Sequence, residues 1–62
     1  MRVVYGDKVW TFETPMTVDE LLKATELANS PVLVMADGRL VRSQDVVSHE
    51  SRVLIINAAN GG

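Results

Sequence analysis

One helical segment lies between two strand-like hairpins, and this order constrains the fold of the 62-residue chain more than any other feature. The helix signal is a capping box that begins at Thr17. Thr17 can accept a hydrogen bond from a first-turn amide, and the Glu20 carboxylate can reach back to the Thr17 amide. The sequence therefore predicts a helix start at Thr17, with Asp19 and Glu20 where the helix dipole favours negative charge.

The same segment carries an apolar stripe on one side. Its members recur at the i, i+3, i+4 and i+7 spacing of a helix, and they are Val18, Leu21, Leu22 and Thr25 or Ala28. Pro31 biases Ser30 away from helical angles, because the proline ring clashes with the preceding residue. We therefore expect the helix to end at Asn29-Ser30-Pro31 and to pack its apolar side against a sheet.

Strand-like stretches lie on both sides of the helix. They are short runs rich in β-branched and other apolar residues, and they cover residues 1–5, 9–13, 32–36, 39–41 and 52–57. Gly6-Asp7 and Asp37-Gly38 are hairpin signals, because glycine accepts the positive φ of a tight turn. Residues 42–51 are polar and mixed, which predicts a loop. A single helix covers only one face of a sheet, so the pattern predicts a two-layer α+β domain over residues 1–57.

Residues 58–62 form a predicted tail that ends in Gly61-Gly62. The tail has little to bury, so we expect it to be mobile. Glycine lacks a Cβ, which lets a backbone enter a narrow channel and approach a nucleotide closely. A carboxylate at Gly62 can be adenylated by ATP and then passed to a sulfur donor or to an amine. The competing interpretation is a frayed terminus, because a terminal glycine pair is a weak motif when taken alone.

Composition argues against several classes of function. The chain has no cysteine, so a disulfide framework and a thiolate zinc site are excluded, and a cytoplasmic location fits. The net charge of −2 argues against non-specific nucleic-acid binding, which needs a basic face. The apolar runs are far shorter than the ~20 residues that span a bilayer. We therefore expect no nucleic-acid partner and no membrane partner.

No catalytic or metal-binding constellation is visible. His49 is the single histidine and has no neighbouring set of metal ligands, so it is interpreted as a solvated loop residue. Trp10 and Phe12 are interpreted as packing residues rather than base-stacking ones. Two further sets are given no chemical role: Ser43, Ser48 and Ser51, which lack a base, and Arg39, Arg42 and Arg52, read as a solvated rim. The protein is thus predicted not to be an enzyme and to bind no cofactor or metal of its own.

Three segments carry a resemblance to a known family. They are Thr17-Val18-Asp19-Glu20-Leu21-Leu22, Asp37-Gly38-Arg39-Leu40-Val41, and the last strand running into Gly61-Gly62. With them the chain resembles the sulfur-carrier family of ubiquitin-like proteins, which includes ThiS-like and MoaD-like carriers and small archaeal and bacterial modifiers. The resemblance implies a β-grasp fold, with a mixed sheet of four to five strands whose first and last strands are parallel and central.

The resemblance also implies partners. An E1-like adenylating enzyme of the ThiF/MoeB type would activate Gly62 with ATP. The sulfur acceptor would be a thiazole synthase, a molybdopterin synthase large subunit or a tRNA thiolase. The chain differs from thiamine carriers at Arg42-Ser43, at Glu50-Ser51 and at Asn60. The pathway therefore stays open between thiamine biosynthesis, molybdopterin biosynthesis, tRNA thiolation and protein modification.

The family pattern assigns side chains to the two faces of the sheet. The residues expected to face the helix are Met1, Val3, Tyr5, Val53 and Ile55. The residues expected on the open face are Val4, Leu54 and Ile56, with Leu33 or Met35. Contiguous apolar exposure on a small domain often marks a partner site. We therefore predict that Val4, Leu54, Ile56 and Met35 dock the activating enzyme, against the alternative of scattered exposed aliphatic side chains.

Three functions follow from these patterns. The first is a sulfur carrier whose Gly62 becomes an acyl-adenylate and then a thiocarboxylate. The second is a protein modifier joined through Gly62 to lysines of target proteins. The third is a plain β-grasp binding domain, for which Gly61 and Gly62 would be dispensable.

Overall fold

The computed structural model describes residues 1–59 as one helix packed on a five-stranded sheet, with a small two-stranded sheet beside them. The elements in chain order are β1 (Arg2–Tyr5), β2 (Lys8–Thr11), β3 (Met16–Thr17), α1 (Val18–Ala24), β4 (Val32–Ala36), β5 (Arg39–Val41), β6 (Val46–Val47) and β7 (Arg52–Asn57). The large sheet has the strand order β2-β1-β7-β4-β5, and β3 pairs with β6.

The central pair of the sheet is β1 and β7, which run parallel in a register that joins Arg2 to Arg52 and Tyr5 to Ile55. Parallel strands need a long crossover connection, and here α1 and the strands after it supply it. β2 and β4 flank this pair in antiparallel orientation. This arrangement is the β-grasp fold, so the predicted fold class and the central parallel strands are confirmed.

The core lies between α1 and one face of the sheet. Its buried hydrophobic residues come from every layer and are Met1, Val3, Val18, Leu21, Val34, Val47, Val53 and Ile55. Tyr5 is half-buried and packs against this cluster, as do Trp10 and Phe12. The predicted alternation of β1 and β7 is therefore confirmed, and the packing interpretation of the two large aromatic side chains is confirmed as well.

The capping box forms as the sequence predicts. The Glu20 amide donates to the Thr17 hydroxyl at 3.1 Å, and the Thr17 amide donates to the Glu20 carboxylate at 2.8 Å. The hydrogen bonds that the Glu20 carboxylate accepts from Thr17, first of all the one from the Thr17 amide, lower the pKa of Glu20. The amides of Val18 and Asp19 donate to the carbonyls of Asp45 and Ser43. The first-turn amides of α1 thus all have acceptors within the protein, and none of them is left to bind an anion.

The end of the helix differs from the sequence prediction. α1 stops at Ala24 rather than near Asn29, because Glu26 takes a left-handed φ of 63°. The Leu27 amide donates to the Leu22 carbonyl at 2.8 Å, and the Glu26 amide donates to the Lys23 carbonyl. This pair of bonds is a Schellman motif, which closes the helix. Glycine usually occupies the left-handed position, so a glutamate there gives no sequence signal.

The segment predicted as a loop, residues 42–51, contains a short strand. β6 pairs with β3 through Met16–Val47 and Thr17–Val46. Val47 is buried in the core, whereas Val46 is exposed. A turn in which the Arg42 amide donates to the Asp45 carboxylate at 2.8 Å leads into this strand. The prediction of a loop was therefore wrong at Val46 and Val47, because two residues are too few to show a strand alternation.

The turn between β4 and β5 uses the predicted Asp-Gly pair. Asp37 and Gly38 both have positive φ, of 52° and 84°, as a type I′ hairpin requires. The Asp37 carboxylate also accepts a hydrogen bond from the Arg52 amide at 3.0 Å. That bond, a further bond from the Ser51 hydroxyl and the charge of Arg52 lower the pKa of Asp37. Asp37 therefore ties the hairpin to the start of β7.

Replacing Glu26 by glycine should stabilise the protein. A left-handed residue with a Cβ costs ~1–2 kcal/mol, and glycine avoids this cost while losing more chain entropy on folding. We expect Glu26→Gly to raise the free energy of unfolding by about 0.5–1 kcal/mol. Urea denaturation measures the change. Glu26→Ala is the matched control, since it removes the same charge but keeps the Cβ and should bring no comparable gain. Equal effects of the two variants would contradict the strain argument.

The Asp37 carboxylate should make stability depend on pH. Its pKa is lowered below the ordinary value of 3.8, so the stabilisation is present above that pH and is lost as the pH falls through the lower folded value. Asp37→Asn keeps a side-chain oxygen as an acceptor and removes the charge. We expect the difference in unfolding free energy between the two proteins to shrink as the pH is lowered to about 2. A difference that is constant from neutral pH downwards would contradict the assignment.

Candidate protein-docking face

A row of apolar side chains crosses the open face of the sheet, the face that α1 does not cover. Strand register places one residue of each strand in line: Val9 opposite Val4, Val4 beside Leu54, Leu54 opposite Met35, and Met35 opposite Leu40. Neighbouring strands lie ~4.8 Å apart, so this apolar row is roughly 19 Å long. Leu54 at its centre is 45% exposed, and Leu40 at one edge is 63% exposed.

A second pair of side chains widens the row. Leu33 is paired with Ile56, and both are exposed. Ile56 lies two residues beyond Leu54 on β7, and alternate residues of a strand share a face. We call this pair together with the apolar row the open apolar face.

The structure brings the four predicted docking residues together. Val4, Leu54, Met35 and Ile56 all lie on the open apolar face, although their role in docking stays a prediction. The sequence did not indicate Val9 and Leu40, which extend the row to both edges of the sheet. Each belongs to a strand whose short apolar alternation is weak, and only the pairing register reveals that they line up with Leu54.

Charged side chains border the middle of the apolar row on one side. Arg2 and Arg52 are neighbours in the parallel pair and share the open face with Leu54. The one ion pair formed within residues 1–59 joins Lys23 to Asp19 on α1, at 3.1 Å. Arg39 lies elsewhere, since it pairs with Ala36, which packs against the core side of the sheet. Arg39, Arg42 and Arg52 are all exposed, as the interpretation of a solvated rim predicts, and Arg39 does not share a face with Arg52.

The chain leaves the sheet at the end of β7 that is opposite Arg52. The Ala58 amide donates to the Pro31 carbonyl at 2.7 Å, and the Ala59 amide donates to the Asn57 side chain at 2.9 Å. Residues 58 and 59 are thus hydrogen-bonded to the domain, and the predicted boundary at residue 57 stays a prediction. Gly61 and Gly62, predicted as the activated terminus, lie outside the described residues.

Other candidate sites gain no support from the geometry. His49 is exposed, and its carbonyl accepts a hydrogen bond from the amino group of Met1. Within the described part of the chain, no three His, Cys, Asp or Glu side chains are grouped as metal ligands would be. The helix of residues 18–24, the single one among residues 1–59, is neither long nor apolar enough to cross a membrane.

Comparison with families of known proteins gives a match. No curated protein matches the chain. The model of the ThiS family matches residues 1–62, which is the whole sequence and includes Gly61-Gly62. Both the β-grasp fold and the position of the glycine pair after the last strand agree with this match. The chain therefore belongs to the ThiS family, whose members are small ubiquitin-like sulfur carriers rather than enzymes.

Proposed function

We propose that the protein carries sulfur as a thiocarboxylate on Gly62, after an E1-like enzyme has activated the carboxylate with ATP. The observation that supports this proposal best is the family match over residues 1–62, because it extends through the glycine pair. The sulfur would be used in cofactor biosynthesis or in tRNA thiolation. Because the activation consumes ATP, the proposed place of work is the cytoplasm.

The chemistry needs only the terminal carboxylate from this chain. A carboxylate oxygen of Gly62 attacks the α-phosphorus of ATP and expels pyrophosphate, which gives an acyl-adenylate. A persulfide on the sulfur donor then attacks the acyl carbon through its outer sulfur and expels AMP, which gives an acyl disulfide. A second thiol, acting as the reductant, attacks the donor's inner sulfur, forms a disulfide with it and releases the thiocarboxylate, which passes its sulfur to the acceptor enzyme. The activating enzyme binds the ATP, and this chain is the second substrate of that enzyme.

The shape of the domain suits a co-substrate. The open apolar face offers a broad contact surface that needs little desolvation of polar groups, as the centres of protein interfaces do. β7 connects this face directly to the tail, because Leu54 and Ile56 are followed within a few residues by Gly61-Gly62. A partner that binds the face therefore has the tail within reach. We propose that the activating enzyme docks on the open apolar face, with Leu54 near the centre of the contact.

A thiocarboxylate on Gly62 is the first expected result. The full chain is incubated with ATP, the activating enzyme of the same organism and a sulfur donor, then treated with an alkylating reagent. Alkylation is needed, because a sulfur-for-oxygen exchange and a methionine oxidation change the mass by nearly the same amount. The chain has no cysteine, so rapid stoichiometric alkylation that maps to Gly62 identifies the thiocarboxylate. A chain lacking Gly61-Gly62 is the control and should remain unmodified.

Two other results would change the assignment. If Gly62 is adenylated, gains no sulfur and appears in covalent adducts with lysines of other proteins, the chain is a protein modifier. If Gly62 is never activated and deletion of Gly61-Gly62 leaves the cellular activity intact, the chain is a plain binding domain.

Leu54→Glu should weaken docking without unfolding the domain. A buried carboxylate in an apolar contact is costly, and central interface residues are the ones whose replacement costs most. We expect the KM for the carrier in ATP–pyrophosphate exchange to rise roughly 10- to 30-fold. Val46→Glu is the matched control, since Val46 is exposed on β6 and away from the open apolar face. An unchanged KM for Leu54→Glu in a folded protein would refute docking through this face.

A further inference from the structure

We propose that Arg2 and Arg52 act as a basic pair that binds acidic side chains of the activating enzyme and fixes the orientation in which the carrier docks. This inference rests on the proposed function. The pair lies at the end of the open face that the apolar side chains do not cover, and it requires carboxylates on the partner surface.

The first support is the placement of the two guanidinium groups. Arg2 and Arg52 are Cα partners on adjacent strands, so their side chains start ~4.8 Å apart on the same face. Like charges at neighbouring positions of a sheet destabilise it. The adjacent arginines therefore reduce the stability of the fold. They do not contribute to core packing, because both side chains are exposed.

The second support is that Asp37, an acidic group that attracts Arg52, already accepts hydrogen bonds. Asp37 accepts the Arg52 amide through Oδ1 and also accepts the Ser51 hydroxyl. Its charge attracts Arg52, but the described residues contain no ion pair that includes Arg2 or Arg52. The two guanidinium groups are therefore available to a partner. Planar guanidinium groups bind carboxylates through two parallel hydrogen bonds, which makes them directional contacts.

The third support is the position of the pair relative to the tail. Arg52 begins β7 and Asn57 ends it, so the basic pair and the tail exit are roughly 17 Å apart with Leu54 and Ile56 between them. An apolar surface alone permits several rotations of the partner. A basic contact at one end selects one rotation of the partner, because electrostatic complementarity determines the register of an interface more than it determines the affinity. The tail then points in one direction with respect to the enzyme.

The occupant is a protein surface rather than a nucleic acid. The chain has a net charge of −2, whereas backbone binding of a nucleic acid needs a basic face. The pair also borders an apolar row that a phosphate backbone would leave exposed to water. A protein surface with an apolar centre and carboxylates on one side satisfies both features.

The experiment measures ATP–pyrophosphate exchange by the activating enzyme against carrier concentration, at low and at raised salt. Arg2→Glu/Arg52→Glu is compared with Arg39→Glu/Arg42→Glu, which changes the net charge equally away from this pair. We expect the KM of the first variant to rise about 10-fold at low salt, with kcat within about twofold and a weaker salt dependence. The control should stay within about twofold of the wild type. Arg2→Lys/Arg52→Lys keeps the charge and should recover most of the loss.

A single variant separates docking from folding. Arg2→Glu leaves Arg52 in place and creates an opposite-charge pair across the two strands, so its unfolding midpoint should equal or exceed that of the wild type. Its KM should nevertheless rise. An unchanged KM would overturn the proposal, whatever the unfolding midpoint.

Other outcomes are equally decisive. If the basic-pair and control variants raise the KM equally, net charge rather than this site matters and the inference fails while the proposed function stands. If inorganic phosphate binds the wild type but not the Glu variant, while the two proteins have the same KM, the pair is an anion site and the protein contact is refuted. If the wild type supports no exchange that depends on Gly62, the proposed function fails and this inference fails with it.

Discussion

The parallel pairing of β1 and β7 is the constraint on which the rest of the molecule depends. It joins the start of the chain to its last strand, through a register that runs from Arg2–Arg52 to Tyr5–Ile55. Two parallel strands cannot be linked by a tight turn, so the intervening residues must cross over the sheet. α1 makes this crossing and covers one face as it does so. Val3, Val53 and Ile55 become buried beneath it.

A single crossing helix leaves the other face of the sheet without a cover. The residues that alternate with the core positions of β1 and β7 are then exposed or, like Val4, half-buried, and several of them are apolar. A small domain can fold with such a face, since most globular surfaces are partly apolar. What distinguishes this face is continuity, because one apolar side chain from each of five strands lies in the same row. Continuity of that kind is typical of a partner surface.

Local patterns predicted most of the fold, and the failures have physical causes. The capping box at Thr17 and the Asp37-Gly38 turn are chemical motifs with one dominant geometry, so sequence and structure agree there. The prediction of the helix end was wrong because Glu26 adopts a conformation that normally belongs to glycine. The sequence did not predict β6 because this strand consists of Val46 and Val47 alone, and its pairing with β3 is a tertiary contact rather than a local preference.

Part of the candidate site could likewise be predicted from the sequence, and the rest depends on tertiary contacts. The family pattern predicts that Leu54 and Ile56 face away from the core, which the exposure of both residues confirms. Alternation cannot predict which residue of a neighbouring strand stands beside Leu54, because lateral register depends on turn geometry and packing elsewhere. Only the folded sheet therefore brings Val9 and Leu40 into the row.

The strand β7 carries two kinds of information in alternate residues. Val53 and Ile55 point into the core and determine whether the domain folds, whereas Arg52, Leu54 and Ile56 point outward and contribute little to the core. Substitutions on the outward side can therefore alter partner contacts while the fold is retained. The outward series also changes character along the strand, from a basic residue to apolar ones and then to the tail. A partner that matches this order can distinguish one end of the carrier from the other.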